Sequence, residues 1–289
     1  MPRLPLLLTA CLFAILPAAI VNAGDVTLPG TTRFDLAARP DGSAYRIFVV
    51  RPDRPAPAAG YPVLYLLDAN AVIGTAADAL RARQDLEPAV IVGIGYPTDQ
   101  PFDIPRRFHD FTPPTAAANL PAQIAPGQRT GGQTALLDFI EQQLKPRIER
   151  ELPIDRRRQT LFGHSLGGLF ALHVLFTRPQ AFQSYVAASP SIWWNRESIL
   201  AEEAARPGIS NGPARLLLTV GARETRNRMR DNTAAMAARL DASRDIEVSF
   251  ALLDQAGHGA SLPLSLLRGL DTVLSPLPRG LLEAPASGQ

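Results

Sequence analysis

The sequence predicts an α/β protein with one mostly parallel central sheet and helices on both faces. Three observations carry that expectation. Short apolar runs alternate with longer amphipathic ones along most of the chain. A Gly-x-Ser-x-Gly pentapeptide at 163–167 sits between an apolar run and a helical one. The composition, 46% hydrophobic and 19% charged over 289 residues, is that of a chain with a sizeable core and excludes a disordered one.

The elements follow in order. Residues 45–50, 62–67 and 89–94 read as strands. The second, Pro-Val-Leu-Tyr-Leu-Leu, is apolar almost throughout, as a strand covered on both faces must be. Residues 134–148 place Leu136, Leu137, Ile140, Leu144 and Ile148 on one helical face, and Pro146 is expected to kink that helix. A short strand at 160–162 leads into the pentapeptide, and a helix over 166–176 follows it. Residues 184–188, 215–220 and 246–253 read as further strands. Residues 226–240 and 262–274 read as helices, the second closing the fold. No repeat or linker divides residues 24–289, which are expected to form a single domain. Two irregular stretches interrupt the alternation. Residues 97–132 are rich in Pro, Gly and Thr, and residues 192–213 hold Trp193, Trp194 and a short acidic helix. Both follow strands at the edge where such sheets bind ligands, so both are expected to shape a site.

Residues 1–23 read as a secretory signal peptide: Arg3, an apolar run over 4–21, then Val21-Asn22-Ala23 as the peptidase exit. Cleavage after Ala23 would leave a periplasmic protein that starts at Gly24 and has no membrane span. An uncleaved anchor and a lipoprotein acylated on Cys11 are the alternative readings. Cys11 is the only cysteine, which leaves no disulfide framework and no cysteine-based metal site. A net charge of +2 provides no strong field to attract nucleic acid.

The pentapeptide, Gly163-His164-Ser165-Leu166-Gly167, has the strand–turn–helix context of a nucleophile elbow. The turn is tight enough to demand glycines beside Ser165, and it aims the hydroxyl out of the sheet at the positive end of a helix. A serine needs a base. Of the four histidines, His109 precedes the elbow, His164 is expected to project away from Ser165, and His173 lies two turns along the elbow helix. His258, on a loop after the last strand, is the base by elimination and by the Ser–acid–His chain order of α/β-hydrolases. The acid is expected at the end of the preceding strand, at Glu224. Asp254 is its rival. Oxyanion donors are expected from the backbone N–H of Leu166 and from the loop 68–71, at Asn70. Asp68 is expected to fix that loop rather than react. The chemistry calls for no cofactor and no metal.

With these residues placed, the chain resembles the esterase-D-type putative esterase family, and within it the periplasmic siderophore esterases that open enterobactin- or salmochelin-type trilactones. The resemblance rests on segments 63–72, 106–114, 163–170, 189–194, 220–224 and 257–261. Among these, Asp-Phe-Thr-Pro-Pro and Ser-Pro-Ser-Ile-Trp-Trp are more specific than the elbow. Two departures are Ala69, where the family usually has Gly, and Phe111, where it usually has Tyr. The resemblance implies an α/β-hydrolase fold and ester hydrolysis through Ser165 and His258, on a small-molecule ester that could arrive as an iron–siderophore complex; it also implies a Ser–His dyad without Glu224 as the alternative, since some siderophore members of the family work that way. On that reading Arg106, Arg107 and Arg129 are expected to pair with catecholate or carboxylate oxygens, and Trp193 and Trp194 to stack on aryl rings. A general acyl esterase of the same family and a catalytically silent binding protein on the same fold are the competing readings.

Overall fold

The computed structural model describes residues 27–38, 43–122, 124, 125, 127–210 and 212–274. The expected signal peptide and Cys11 lie outside the described residues.

The described strands are β1 (Thr31–Ala37), β2 (Ala44–Val50), β3 (Tyr61–Leu67), β4 (Val90–Gly95), β5 (Ile154–His164), β6 (Ser184–Ala188), β7 (Ala214–Gly221) and β8 (Ile246–Leu253). They form one sheet in the order β1-β2-β4-β3-β5-β6-β7-β8. The β1–β2 and β2–β4 pairs are antiparallel, and every pair from β4–β3 to β7–β8 is parallel. The helices are α1 (Ala69–Ala82), α2 (Ile104–Asp110), α3 (Gln133–Phe139), α4 (Lys145–Glu151), α5 (Leu166–Thr177), α6 (Ile199–Ala205), α7 (Met229–Asp241) and α8 (His258–Leu274).

Side chains alternate between the two faces of the sheet, which explains the unbroken apolar character of β3. Val63, Tyr65 and Leu67 belong to the buried cluster on the face that carries α3 and α5. Leu64 and Leu66 pack with residues of α1 and α8. A polar residue at any of these positions would be buried under one helical layer or the other.

Several elements depart from the sequence expectation. β1 is an edge strand whose seven residues are all partly or fully exposed, so it lacks the apolar run that marks the inner strands. α1 begins where only a loop was expected. Its buried stripe, Ala69, Val72, Ile73, Ala76, Ala77 and Leu80, has helical spacing but is built largely of alanine. β5 runs for 11 residues rather than three: Ile154 pairs with Tyr61, and after a register irregularity that holds Arg156, Arg157 and Arg158 the ladder resumes at Gln159, opposite Val63. Pro146 does not break its helix. The Lys145 N–H reaches back to the Ile140 carbonyl, making a π-helical turn over Ile140–Leu144, and Pro146 then falls in the first turn of α4, where its missing N–H costs little. α8 starts at His258 rather than four residues later, with Ser261 N–H on the Gly257 carbonyl and Pro263 carried inside the helix.

The turn from β5 into α5 is the tightest constraint near the sheet's C-terminal edge. Ser165 sits at φ 61°, ψ −117°. A Cβ on Gly163 would lie 2.0 Å from the Gly167 carbonyl oxygen, and one on Gly168 would lie 2.7 Å from the Ala188 carbonyl oxygen. A Cβ on Gly167 would meet its nearest neighbour, Leu67 Cδ1, at 3.5 Å, an ordinary contact. The second glycine of the pentapeptide is therefore not sterically required, whereas Gly163 is. Gly163→Ala is expected to cost about 3 kcal/mol or more, because backbone rather than a side chain must yield. Gly167→Ala is expected to change stability by less than about 1 kcal/mol. Thermal unfolding of the two variants checks this, and equal losses would contradict it.

Candidate active site

The parallel strands deliver their C-terminal ends to one edge, and the polar residues that follow them meet there. Asp68 follows β3, Ser165 follows β5, Ser189 follows β6, Glu224 lies three residues after β7, and His258 opens the helix after β8. The structure brings Ser165, His258 and Glu224 into one line. His258 Nε2 is 3.0 Å from Ser165 Oγ, and His258 Nδ1 is 2.6 Å from Glu224 Oε2. A hydroxyl on an imidazole that is itself held by a carboxylate can give up its proton and attack a carbonyl carbon.

Local structure explains each placement. The Ser165 N–H bonds the Ala188 carbonyl at 2.9 Å, pinning the elbow to β6. Glu224 is folded back on its strand: its own N–H bonds the Gly221 carbonyl at 3.0 Å, and its Oε1 accepts the Gly221 N–H at 2.7 Å. Burial alone would raise this carboxyl. Hydrogen bonds from His258, Ser189 and Gly221 outweigh it and hold the group down at about 2, so it is ionised throughout the working range. Asp254, the rival acid, lies exposed at the end of β8.

Leu166 and Asn70 occupy the first turns of α5 and α1, where backbone N–H groups have no intrahelical acceptor. The Asn70 side chain ties this edge together. Its Nδ2 donates to the Tyr96 and Thr98 carbonyls at 3.0 and 2.8 Å, and its Oδ1 accepts the Tyr96 N–H at 2.9 Å.

The expected binding residues fare differently. Arg107 is buried in a bidentate pair with Asp68, Nε to Oδ1 at 3.1 Å and Nη2 to Oδ2 at 2.9 Å. Its guanidinium is committed to the protein, which corrects the expectation that it meets a ligand. Asp68, at φ 53°, thereby joins the start of α1 to α2. Arg106 donates to the Ala44 carbonyl at 2.6 Å and lies over the rings of Tyr45 and Tyr96, at 4.8 and 4.6 Å. Arg129 is exposed, and with Arg106, Ser43, His109 and Gln128 it lines a concavity of about 330 Å³. Trp194 is 1% exposed and donates its Nε1–H to Thr115 Oγ1 at 2.9 Å, so it is a core residue and not a stacking platform. Trp193 packs on it at 5.8 Å and remains half-buried. His173 is buried, with Nδ1 2.7 Å from Glu202 and 2.9 Å from Gln133, while His109 pairs with Asp110.

Four residues at the site carried no role in the sequence reading. Ser191 Oγ lies 3.4 Å from Ser165 Oγ. Ser189 Oγ donates to Glu224 Oε1 at 2.6 Å. Ser261 Oγ is 3.0 Å from His164 Nε2. The His164 ring lies under that of His258, centroids 4.7 Å apart. The Ser-Pro-Ser and Gly-His-Gly-Ala-Ser segments are conspicuous in the sequence, but spacing alone does not say which serine faces the site. Among the described residues no group of three or more His, Cys, Asp or Glu gathers that could hold a metal ion.

Comparison with known proteins agrees with this geometry. A family model described as putative esterase matches residues 41–259. The ferri-bacillibactin esterase BesA of Bacillus subtilis is 43% identical over 267 residues, which cover 86% of this chain and 91% of that one. The crystal structure of the BES protein from Bacillus cereus superimposes with a TM-score of 0.81 at 36% identity, covering 88% of this chain and 99% of the other. The siderophore hydrolase EstB from Aspergillus nidulans does so with a TM-score of 0.76 at 31% identity, covering 89% and 100%. The fold is that of the α/β-hydrolases. The chain belongs to the putative esterase family and is an ester hydrolase.

Proposed function

We propose that this protein hydrolyses the ester backbone of a siderophore, of the catecholate trilactone type, with Ser165 as nucleophile, His258 as base and Glu224 as orienting acid. The observation that carries the catalytic part is the line Ser165 Oγ–His258–Glu224, with spacings of 3.0 and 2.6 Å, at a strained elbow. The substrate class is supported by relatives whose names record esterases of ferri-bacillibactin, triacetylfusarinine C and enterobactin.

Ser165 Oγ attacks the lactone carbonyl while its proton passes to His258 Nε2. Glu224 accepts from Nδ1 and stabilises the imidazolium. The oxyanion is received by the backbone N–H groups of Leu166 and Asn70. Collapse expels the alcohol oxygen, which takes the proton from His258 and leaves an acyl group on Ser165. Water, deprotonated by His258, then releases the hydroxy acid.

Ser165→Ala is expected to leave a folded protein whose hydrolysis falls by about 10³-fold or more. Glu224→Gln should lower kcat with little change in KM, and Asp254→Asn should do much less. Substantial activity in Ser165→Ala, or the reverse ranking of the two acids, would overturn these assignments.

For the substrate, kcat/KM on a catechol trilactone is expected to exceed that on p-nitrophenyl butyrate at least tenfold, about 1.4 kcal/mol of extra transition-state binding. Arg129→Ala should slow the trilactone alone, by about fivefold, since an exposed charge contact is worth about 1 kcal/mol. Arg107→Ala strands the buried Asp68 carboxylate, a loss of about 3–5 kcal/mol of stability, and should impair both substrates together. A preference for the short ester would turn the assignment to a general acyl esterase with the same reacting groups.

The protein is further proposed to be exported, as a single domain over residues 24–289, to the periplasm. Mass spectrometry of the periplasmic protein should find Gly24 first. A lipid-modified Cys11 or an intact Met1 would contradict this.

A further inference from the structure

The base of this site is held loosely on its outer side: the His258 side chain is 46% exposed. Its orientation must therefore be set from beneath and behind. Glu224 supplies one hydrogen bond, and Glu224 itself has to be kept from rotating.

Behind the line lies a second, fully enclosed polar set. Ser189 and Ser261 are both 0% exposed and His164 is 8% exposed. Ser189 Oγ donates to Glu224 Oε1 at 2.6 Å, which leaves Ser189 only as an acceptor toward Ser261 Oγ, 2.9 Å away. Ser261 Oγ is also 2.8 Å from the His258 carbonyl oxygen and 3.0 Å from His164 Nε2. The hydrogens can be counted. Ser261 has one, and two acceptors compete for it, the His258 carbonyl and Ser189. Ser261 must therefore accept from His164, which requires the His164 ring to carry its hydrogen on Nε2. Burial, and after it the neighbouring His258, push the His164 imidazole down to about 3, so it is neutral and carries one ring hydrogen. The opposite tautomer would draw the Ser261 hydrogen away from the His258 carbonyl and from Ser189. The charged and titratable groups facing this set are Glu224 after β7, His258 at the start of α8, and Arg107 from α2.

Backbone conformation makes the same point. Ser189 is a non-glycine residue at φ 41°, with its N–H tied to the Thr219 carbonyl at 2.7 Å. Strain of this kind persists where surrounding contacts over-determine it, and it gathers at functional sites. In this backbone conformation the Ser189 hydroxyl meets Glu224. The neutral His164 ring supports His258 from below at 4.7 Å, with 38° between planes.

We infer that Ser189, Ser261 and His164 are positioning residues: a buried hydroxyl–hydroxyl–imidazole chain that locks the Glu224 carboxylate, the His258 backbone and the His258 ring in the geometry the reaction needs. The inference rests on the assignment of Ser165, His258 and Glu224 as the reacting groups. It adds that the rigid unit is six residues contributed by the end of β5 and the elbow after it, the residue after β6, the β7 turn and α8, with Ser189 and Ser261 in contact at its centre.

The test uses the whole protein with Ser189→Ala and Ser261→Ala, beside wild type and Ser165→Ala. Each serine variant is expected to lower kcat about tenfold, the value of one buried hydrogen bond, while KM moves less than about twofold. The low-field proton resonance of His258 Nδ1–H should shift upfield or broaden in both, which a merely structural loss of packing would not produce. Should either variant fail to fold, wild type alone decides. Its Ser189 hydroxyl proton should exchange slowly and show a nuclear Overhauser contact to the Ser261 hydroxyl or Cβ protons. Folded variants with wild-type kcat and an unmoved His258 resonance, or a freely exchanging Ser189 hydroxyl in wild type, would overturn the inference. An active Ser165→Ala would instead remove the catalytic assignment on which it stands.

Discussion

The turn at Ser165 is the constraint on which the rest of the site depends. A residue with a Cβ is held at φ 61° between a buried strand and a buried helix. The conformation is unfavourable for any residue but glycine, and the packing and hydrogen bonds of β5 and α5 hold it. The Ala188 carbonyl receives the Ser165 N–H, and the Ser165 carbonyl receives the Ser191 N–H. The elbow is thereby tied to the two ends of the Ser189-Pro190-Ser191 turn. The elbow and the segment that hydrogen-bonds Glu224 are thus joined through the backbone.

The acid shows how burial and hydrogen bonding trade against each other. An isolated carboxylate at this depth would be pushed towards its neutral form. Three donors, from His258, Ser189 and the Gly221 backbone, reverse that outcome. A glutamate three residues past β7 folds back so that both oxygens are used, one on the turn and one on the imidazole. Asp68 and Arg107 apply the same principle to structure. Their buried bidentate pair ties α2 to the β3–α1 turn. The irregular stretch 97–132 is thereby anchored by one of its own arginines.

That arginine also shows where residue type misleads. Three arginines and two tryptophans in irregular segments beside a sheet edge look alike in sequence. In the structure Arg107 is matched to a buried carboxylate, Arg106 to a carbonyl and two tyrosine rings, and Trp194 to a threonine hydroxyl inside the core. Arg129 and Trp193 keep surface available to a ligand. The difference is which polar partner the fold brings within 3 Å, and that partner is 39 residues away in one case and 79 in another.

The sequence by itself determined the layered α/β architecture, the inner strands and the elbow, and it put Ser165 and His258 at the ends of strands of one sheet, while leaving the choice between Glu224 and Asp254 open. Each of these rests on local periodicity or on the order of elements along the chain, and a parallel sheet converts order into position. It did not determine β1, whose exposed alternation at the sheet edge lacks an apolar run, or α1, whose alanine-rich stripe is a weak signal. Nor did it determine the roles of Ser189, Ser261 and His164. A serine or histidine acquires a partner only when strands β5, β6 and β7 and helix α8 converge, and their convergence is set by packing across distances of up to 97 residues along the chain. Tertiary structure alone decided which hydroxyls turn inward, because a hydrogen bond is short and directional while a motif records only what lies next to what.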